Sequence, residues 1–237
     1  MKLLFIRHGD PDYAADSLTE KGWREAKALA DRMEKLDIAK FYCSPLGRAR
    51  DTAGVTLRRM ARNAEVFDFL QEFRYRIEDP RTGKPRGAWD LYPSDWTKQE
   101  ALFDKDLWWQ SPMMQTGTEI KPRYDEVCAG LDSLLEKHGY RRDGYLYQVQ
   151  KANTDTIAVF CHLGVMCILL SHLLNCAPTI FWQGSFVAPT SITMLETEER
   201  DKGTAVFRMR CLGDTGHLYM AGEPVSDSGF YEEVHVH

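Results

Sequence analysis

Two histidines and two arginines in this sequence stand at the ends of short apolar runs. Arg7 and His8 follow Leu3 to Ile6, Arg48 lies shortly beyond Phe41 to Cys43, and His162 closes the run Ile157 to Cys161. A guanidinium presents a planar fork of N–H donors that matches a phosphate, and an imidazole adds a hydrogen bond or a nucleophilic nitrogen. Brought together, the four would form a cationic cup. Glu72, near the end of AEVFDFLQEF, adds a carboxyl group beside it. Each residue alone has an ordinary explanation, since a strand-end histidine is usually structural and a helix arginine usually solvated. The weight comes from four loops built to one plan.

Such a cup needs strands that end on one edge of a sheet, where loops lead into helix N-termini. KLLFIRH reads as a strand buried on both faces, and DSLTEKGWREAKALADRMEKLD as the helix after it, with Ser17 or Thr19 as N-cap. A short strand around Phe41 to Cys43 follows, then a helix with Ser44 as N-cap and Pro45 at its first position. AEVFDFLQEF reads as a third strand ending near Glu72. PRYDEVCAGLDSLLEKHGY is an amphipathic helix stopped by Gly139, GYLYQV a hairpin strand, and DTIAVFCHLGVMCILLSHLL a strand leading into an apolar helix. SITMLETEERDKGTAVFRMRCL closes as a hairpin turning near Asp201-Lys202-Gly203. Alternating strands and helices predict an α/β fold with a mostly parallel sheet.

The 237 residues, without linker, repeat or low-complexity run, suit one domain spanning 1–237. A net charge of −5 argues against a general nucleic-acid footprint. Leu3 to Ile6 is too short for a secretory signal and no apolar run reaches the roughly 18 residues of a membrane span, so a cytoplasmic protein is expected. The six cysteines read as reduced, buried thiols; Cys161, His162 and Cys167 match no common zinc spacing, and no metal or cofactor is expected.

The ordered motifs RHG, SPLGRARDTA, LQEF and CHLG resemble those of the histidine phosphatase, or phosphoglycerate mutase-like, superfamily. LTEKGWREA is similar to that family's LTxxGxxQA, and LGDTGHL at 212–218 to its closing segment. The resemblance implies a three-layer α/β/α fold with a mostly parallel central sheet and an aromatic-rich helical insertion at about 75–125. It implies that His8 is transiently phosphorylated while Arg7, Arg48 and His162 hold the phosphoryl oxygens, and that Gly9 lets backbone approach a phosphate. Glu72 matches the family's proton donor, with Glu78 and Asp10 as rival carboxylates. Leu163 departs from the family, where many members have glycine, and would narrow the pocket. His217 takes a structural position near the sheet.

RHGDPDYA and EFRYRIEDPRTGKPR reproduce neither the loop nor the basic segment of phosphoglycerate mutases, so a metal-independent phosphomonoesterase is expected. A mutase and a non-catalytic phospholigand binder are the alternatives. The expected partner is a small phosphorylated substrate, with no nucleic acid or membrane, and a homodimer stays open. The aromatics from Trp89 to Trp109 form either a lid over the site or a small core of their own. Arg74, Arg76, Arg81, Lys84 and Arg86 either meet a second anionic group or form a solvated loop. His138 and His172 sit in helical contexts, and His235 and His237 in a polar tail.

Overall fold

The computed structural model describes residues 1–230; His235 and His237 lie outside them. In chain order the first part comprises β1 (Lys2–Arg7), β2 (Pro11–Asp12), β3 (Ser17–Leu18), α1 (Glu20–Met33), β4 (Lys40–Cys43), α2 (Gly47–Met60) and β5 (Glu65–Val66). The middle holds β6 (Arg76–Glu78), β7 (Pro85–Gly87), α3 (Pro93–Trp96), α4 (Pro112–Gln115), α5 (Ile120–Lys137), β8 (Tyr140–Asp143) and β9 (Leu146–Val149). The last part adds β10 (Thr156–Cys161), α6 (Leu163–Leu174), α7 (Pro178–Gly184), β11 (Ile192–Glu198), β12 (Thr204–Asp214) and α8 (Gly216–Ala221).

β1 is buried from Leu3 to Arg7 because alternate residues serve two different cores. Leu4 and Ile6 pack with Leu29 and Met33 of α1 and Ala49 and Ala53 of α2. Leu3 and Phe5 face the opposite layer, where Leu131 and Leu134 of α5 meet the apolar length of α6 and Trp182 of α7. The result is the expected three-layer α/β/α arrangement. Thr19 caps α1 by accepting from Gly22 N, as its sequence context predicts.

The eight-stranded sheet has the order β5-β4-β10-β1-β11-β12-β9-β8. It is mixed where a mostly parallel sheet was expected. β5, β4, β10 and β1 pair in parallel, whereas β1 with β11, β11 with β12, β12 with β9, and β9 with β8 are antiparallel. Tight turns make the difference: Gly144 (φ +56°) and Gly203 (φ +83°) permit the hairpins β8–β9 and β11–β12, and a hairpin can join only antiparallel strands.

Two local expectations fail. The stretch read as a third strand is only Glu65–Val66, followed by a 3-10 turn over Asp68–Leu70, so Glu72 leaves a turn instead of a strand. This sheet edge has a single neighbour, β4, whose pairing reaches only Tyr42↔Glu65 and Cys43↔Val66. Ser44 does not cap α2 and Pro45 does not begin it; Leu46 occupies the N-cap without a side-chain bond.

Segment 75–125 is mostly irregular, with the hairpin β6–β7, two four-residue helices and short 3-10 turns before α5. Its aromatics divide. Trp108, 1% exposed, packs edge-on against Trp182 and Tyr124 in the main core, and Trp96 pairs with Phe103 at 5.3 Å. Trp89 instead donates from Nε1 to Phe73 O, immediately beside Glu72. No helix among the described residues is long and apolar enough to cross a membrane.

Candidate active site

The parallel register builds the site. Arg7 pairs with Cys161 and Phe160 with Cys43, so the residues that follow, His8, His162 and Ser44, meet on one sheet edge. The His8 and His162 ring centroids lie 5.0 Å apart, and both residues are buried. His8 N donates to Cys161 O, while Thr190 N bonds both Arg7 O and His8 O and clamps the strand end. Thr190 (φ +58°) is in turn engaged by His217 Nε2 at 3.1 Å, the structural position expected for that histidine.

His8 Nδ1 lies 2.7 Å from Gly9 O. A carbonyl only accepts, so Nδ1 carries the hydrogen and Nε2 keeps its lone pair. Burial, helped by the Arg7 charge, lowers the His8 pKa well below the usual imidazole range. At neutral pH His8 is therefore uncharged, with its ring oriented and the Nε2 lone pair retained. His162 is likewise held well below its ordinary value by burial, with His8 and Arg48 adding to it. Its Nε2 meets Ser44 Oγ at 2.8 Å, the interaction that takes Ser44 away from capping.

The two arginines are anchored differently. Arg7 donates from Nη1 to Val187 O (2.8 Å) and from Nη2 to Ser228 O (2.7 Å), and lies 5.6 Å from the Phe186 ring centroid. Arg48 donates to Asp16 Oδ1 at 2.6 Å. Partial burial raises the Asp16 pKa, but the Gly47 N–H and Arg48 outweigh it and hold that carboxyl below its ordinary range. Arg7 Nε, Arg48 Nε and His162 Nδ1 are buried polar atoms with no partner among the described residues. An unsatisfied buried polar group costs about 1–3 kcal/mol, more when charged. Three of them around His8 suit an anion with several oxygens.

Glu72 reaches the same place from the far side. Its Oε1 accepts from Phe73 N (2.8 Å) and from Val165 N (3.1 Å), in the first turn of α6. Burial raises its pKa, and these two N–H groups hold the rise back. Gly164 makes room for it: a Cβ there would lie 2.8 Å from Glu72 Oε1. Neither rival carboxylate is placed like this. Asp10 accepts from Thr19 Oγ1 and Ser226 Oγ, which orients the loop, and Glu78 is exposed on the β6–β7 hairpin.

Gly9 also holds the loop in place. Its N–H donates to Thr52 Oγ1 at 2.8 Å, and a Cβ would meet Gly22 O at 2.9 Å, so it packs the loop against α1. Thr52 also donates to Arg48 O, tying that loop to the arginine helix. Glu25, in the LTEKGWREA segment, accepts from Asp10 N at 2.8 Å, and burial pushes its pKa up to about 7. Sequence reading missed Thr52, Asp16, Glu25 and the segment from Glu223 to Phe230. That segment returns to the site through Lys21–Glu223 and Arg24–Glu223 ion pairs, the Ser226–Asp10 bond and the Ser228 carbonyl on Arg7.

Comparison with known proteins identifies the family and the fold. The family model described as Histidine phosphatase superfamily (branch 1) matches residues 3–209. A Schizosaccharomyces pombe protein named as a probable phosphatase is 25% identical over 233 residues, covering 92% of this chain and 95% of that one. The adenosylcobalamin/alpha-ribazole phosphatase of Salmonella typhimurium is 23% identical over 195 residues, covering 77% and 84%. Among solved structures, a mutant phosphoserine phosphatase from Entamoeba histolytica in complex with phosphoserine superposes with a TM-score of 0.61 at 20% identity, covering 92% of this chain and 98% of that one.

Proposed function

Because the chain belongs to branch 1 of the histidine phosphatase superfamily, we propose that it is a metal-independent phosphomonoesterase acting on small organic phosphates through a phosphohistidine on His8. The observation that carries this reading is the group of buried donors without partners among the described residues, Arg7 Nε, Arg48 Nε and His162 Nδ1, around a neutral histidine that keeps its lone pair on Nε2.

His8 Nε2 attacks phosphorus, and the bond from phosphorus to the leaving oxygen breaks as the new P–N bond forms. Arg7, Arg48 and His162 stabilise the charge on the remaining phosphoryl oxygens. With Ser44 donating to His162 Nε2, the ring hydrogen sits on Nδ1 as one of those donors. Glu72, its pKa raised by burial, gives its proton to the leaving alkoxide. The resulting carboxylate then takes a proton from water, whose oxygen attacks phospho-His8 and releases inorganic phosphate, restoring both residues.

The test is phosphate release from a panel of phosphomonoesters in EDTA, comparing the wild type with His8→Ala. Release that survives EDTA and disappears in the variant supports the mechanism. A single turnover should also leave acid-labile phosphate on the wild-type protein only. Isomer exchange between phosphoglycerates without net release would replace this reading with a mutase.

A further inference from the structure

Beside Glu72 a cavity of about 600 Å³ opens, lined by Phe73, Trp89 and the β6–β7 hairpin. Its volume is that of a small-molecule site. It adjoins the groups around His162, since a Cβ on Gly164, two residues after His162, would lie 2.8 Å from Glu72 Oε1 and 3.2 Å from the Trp89 ring. A substrate with phosphorus at His8 Nε2 and its leaving oxygen at Glu72 would extend into this space.

The hairpin cations fall into two groups. Arg81 bonds Asp95 and Ser94, Arg86 bonds Asp79 and Asp90, and the pair lies against the Tyr92 ring at 3.8 and 4.2 Å. Both guanidinium charges are thus engaged within the segment, by Asp95 for Arg81 and by Asp79 and Asp90 for Arg86. Arg74, Arg76 and Lys84 also line the cavity, and their side chains have no hydrogen bond or ion pair among the described residues. Arg74 follows Glu72 by two residues and lines the cavity next to it, close enough for its charge to add to those that depress the His162 pKa.

We propose that this cavity receives the leaving group and that Arg74, Arg76 and Lys84 select phosphomonoesters whose leaving group carries a second anionic group. The inference rests on the phosphatase reading above. Positive charge on the wall of the cavity lowers KM for an oxyanion there, and leaves the chemistry at His8 to the same groups.

The experiment compares kcat/KM within two matched pairs: glycerol 3-phosphate against 3-phosphoglycerate, and propyl phosphate against propanediol bisphosphate. In the wild type the anionic member of at least one pair should be favoured on the order of tenfold, mostly through KM. The pair that responds identifies a carboxylate or a second phosphate as the group recognised. The combined Arg74→Gln, Arg76→Gln and Lys84→Gln variant should bring that ratio towards one, whereas Arg81→Gln, a matched cation of the same hairpin, should keep it. A wild-type ratio near one in both pairs, or a ratio unaltered by the triple change, with phosphate release intact, would overturn this inference alone. No release from any of the four compounds or from p-nitrophenyl phosphate would overturn the phosphatase reading and this inference together.

Discussion

The parallel strands β4, β10 and β1 run directly into Ser44, His162 and Arg7–His8, whereas β9, β11 and β12 belong to the hairpins β8–β9 and β11–β12. In the parallel half every strand points the same way, so consecutive loops must gather on one edge and their polar residues meet. In the antiparallel half strand ends alternate between edges and cannot gather. That half contributes support: Tyr140, Tyr147 and Phe207 pack on one another, and the loop before β11 brings Val187 O and Thr190 N to the end of β1. Chemistry and stability should therefore be separable by position.

The largest separation is expected from Glu72→Gln. The amide preserves an acceptor for Phe73 N and Val165 N but cannot donate and then take up a proton, so kcat should fall about a hundredfold to ten-thousandfold. Circular dichroism melts should show the fold retained. Because burial raises the Glu72 pKa, wild-type kcat should decline on its alkaline limb at a pH above the ordinary carboxylate range, and this limb should vanish in the variant.

Phe207→Ala probes the other half. The side chain is 4% exposed and lies edge-on to Tyr147 at 5.2 Å, so its loss should cost about 3–5 kcal/mol in urea unfolding. At temperatures where the variant is folded, kcat/KM should stay at the wild-type value. A marked fall would show that the halves are mechanically coupled.

Glu25→Gln sharpens the comparison from within the site's own support. Burial raises this carboxyl from 4.5 to about 7, so the folded state holds a proton that the unfolded chain releases. Stability from this group is complete below the unfolded value and is lost as pH rises towards 7, by about 3 kcal/mol in all. Glutamine keeps an acceptor for Asp10 N without that titration. Unfolding free energies at pH 5 and pH 8 should therefore lie closer together in the variant, with the gain appearing at pH 8.

The smallest effect belongs to Arg208→Ala, which removes an exposed ion pair with Glu198 on the antiparallel half. The change in unfolding free energy should stay within about 1 kcal/mol, and kcat/KM should not move.

Legibility in the sequence followed the same division. Arg7, His8, Arg48 and His162 were readable because apolar runs ending in unusual side chains keep both their type and their spacing in one dimension. Glu72 was found through its motif although its supposed strand is largely a 3-10 turn; apolar residues in VFDFL serve either geometry. Ser44 was misread because serine before proline is the signature of a helix start, and only the parallel register reveals the imidazole 2.8 Å away. The mixed sheet was implicit in the predicted hairpins, but which strand neighbours β1 is a long-range matter. Hardest to see were Val187 and Ser228, because a backbone carbonyl carries no residue-type signal.

Ser228 also sets an order in time. It is separated from Arg7 by 221 positions, and His8, Arg48 and His162 are all synthesised before it. At roughly 5–20 residues per second, the stretch from His162 to Ser228 takes on the order of ten seconds on the ribosome. During that interval the growing chain already has His8, Arg48 and His162; β11 is added to it only part-way through, and the carbonyl that fixes Arg7 only at its end. The cluster of Arg7, His8, Arg48 and His162 is thus completed late in translation, and a ribosome stalled in that interval holds a chain with both site histidines made and Arg7 not yet anchored.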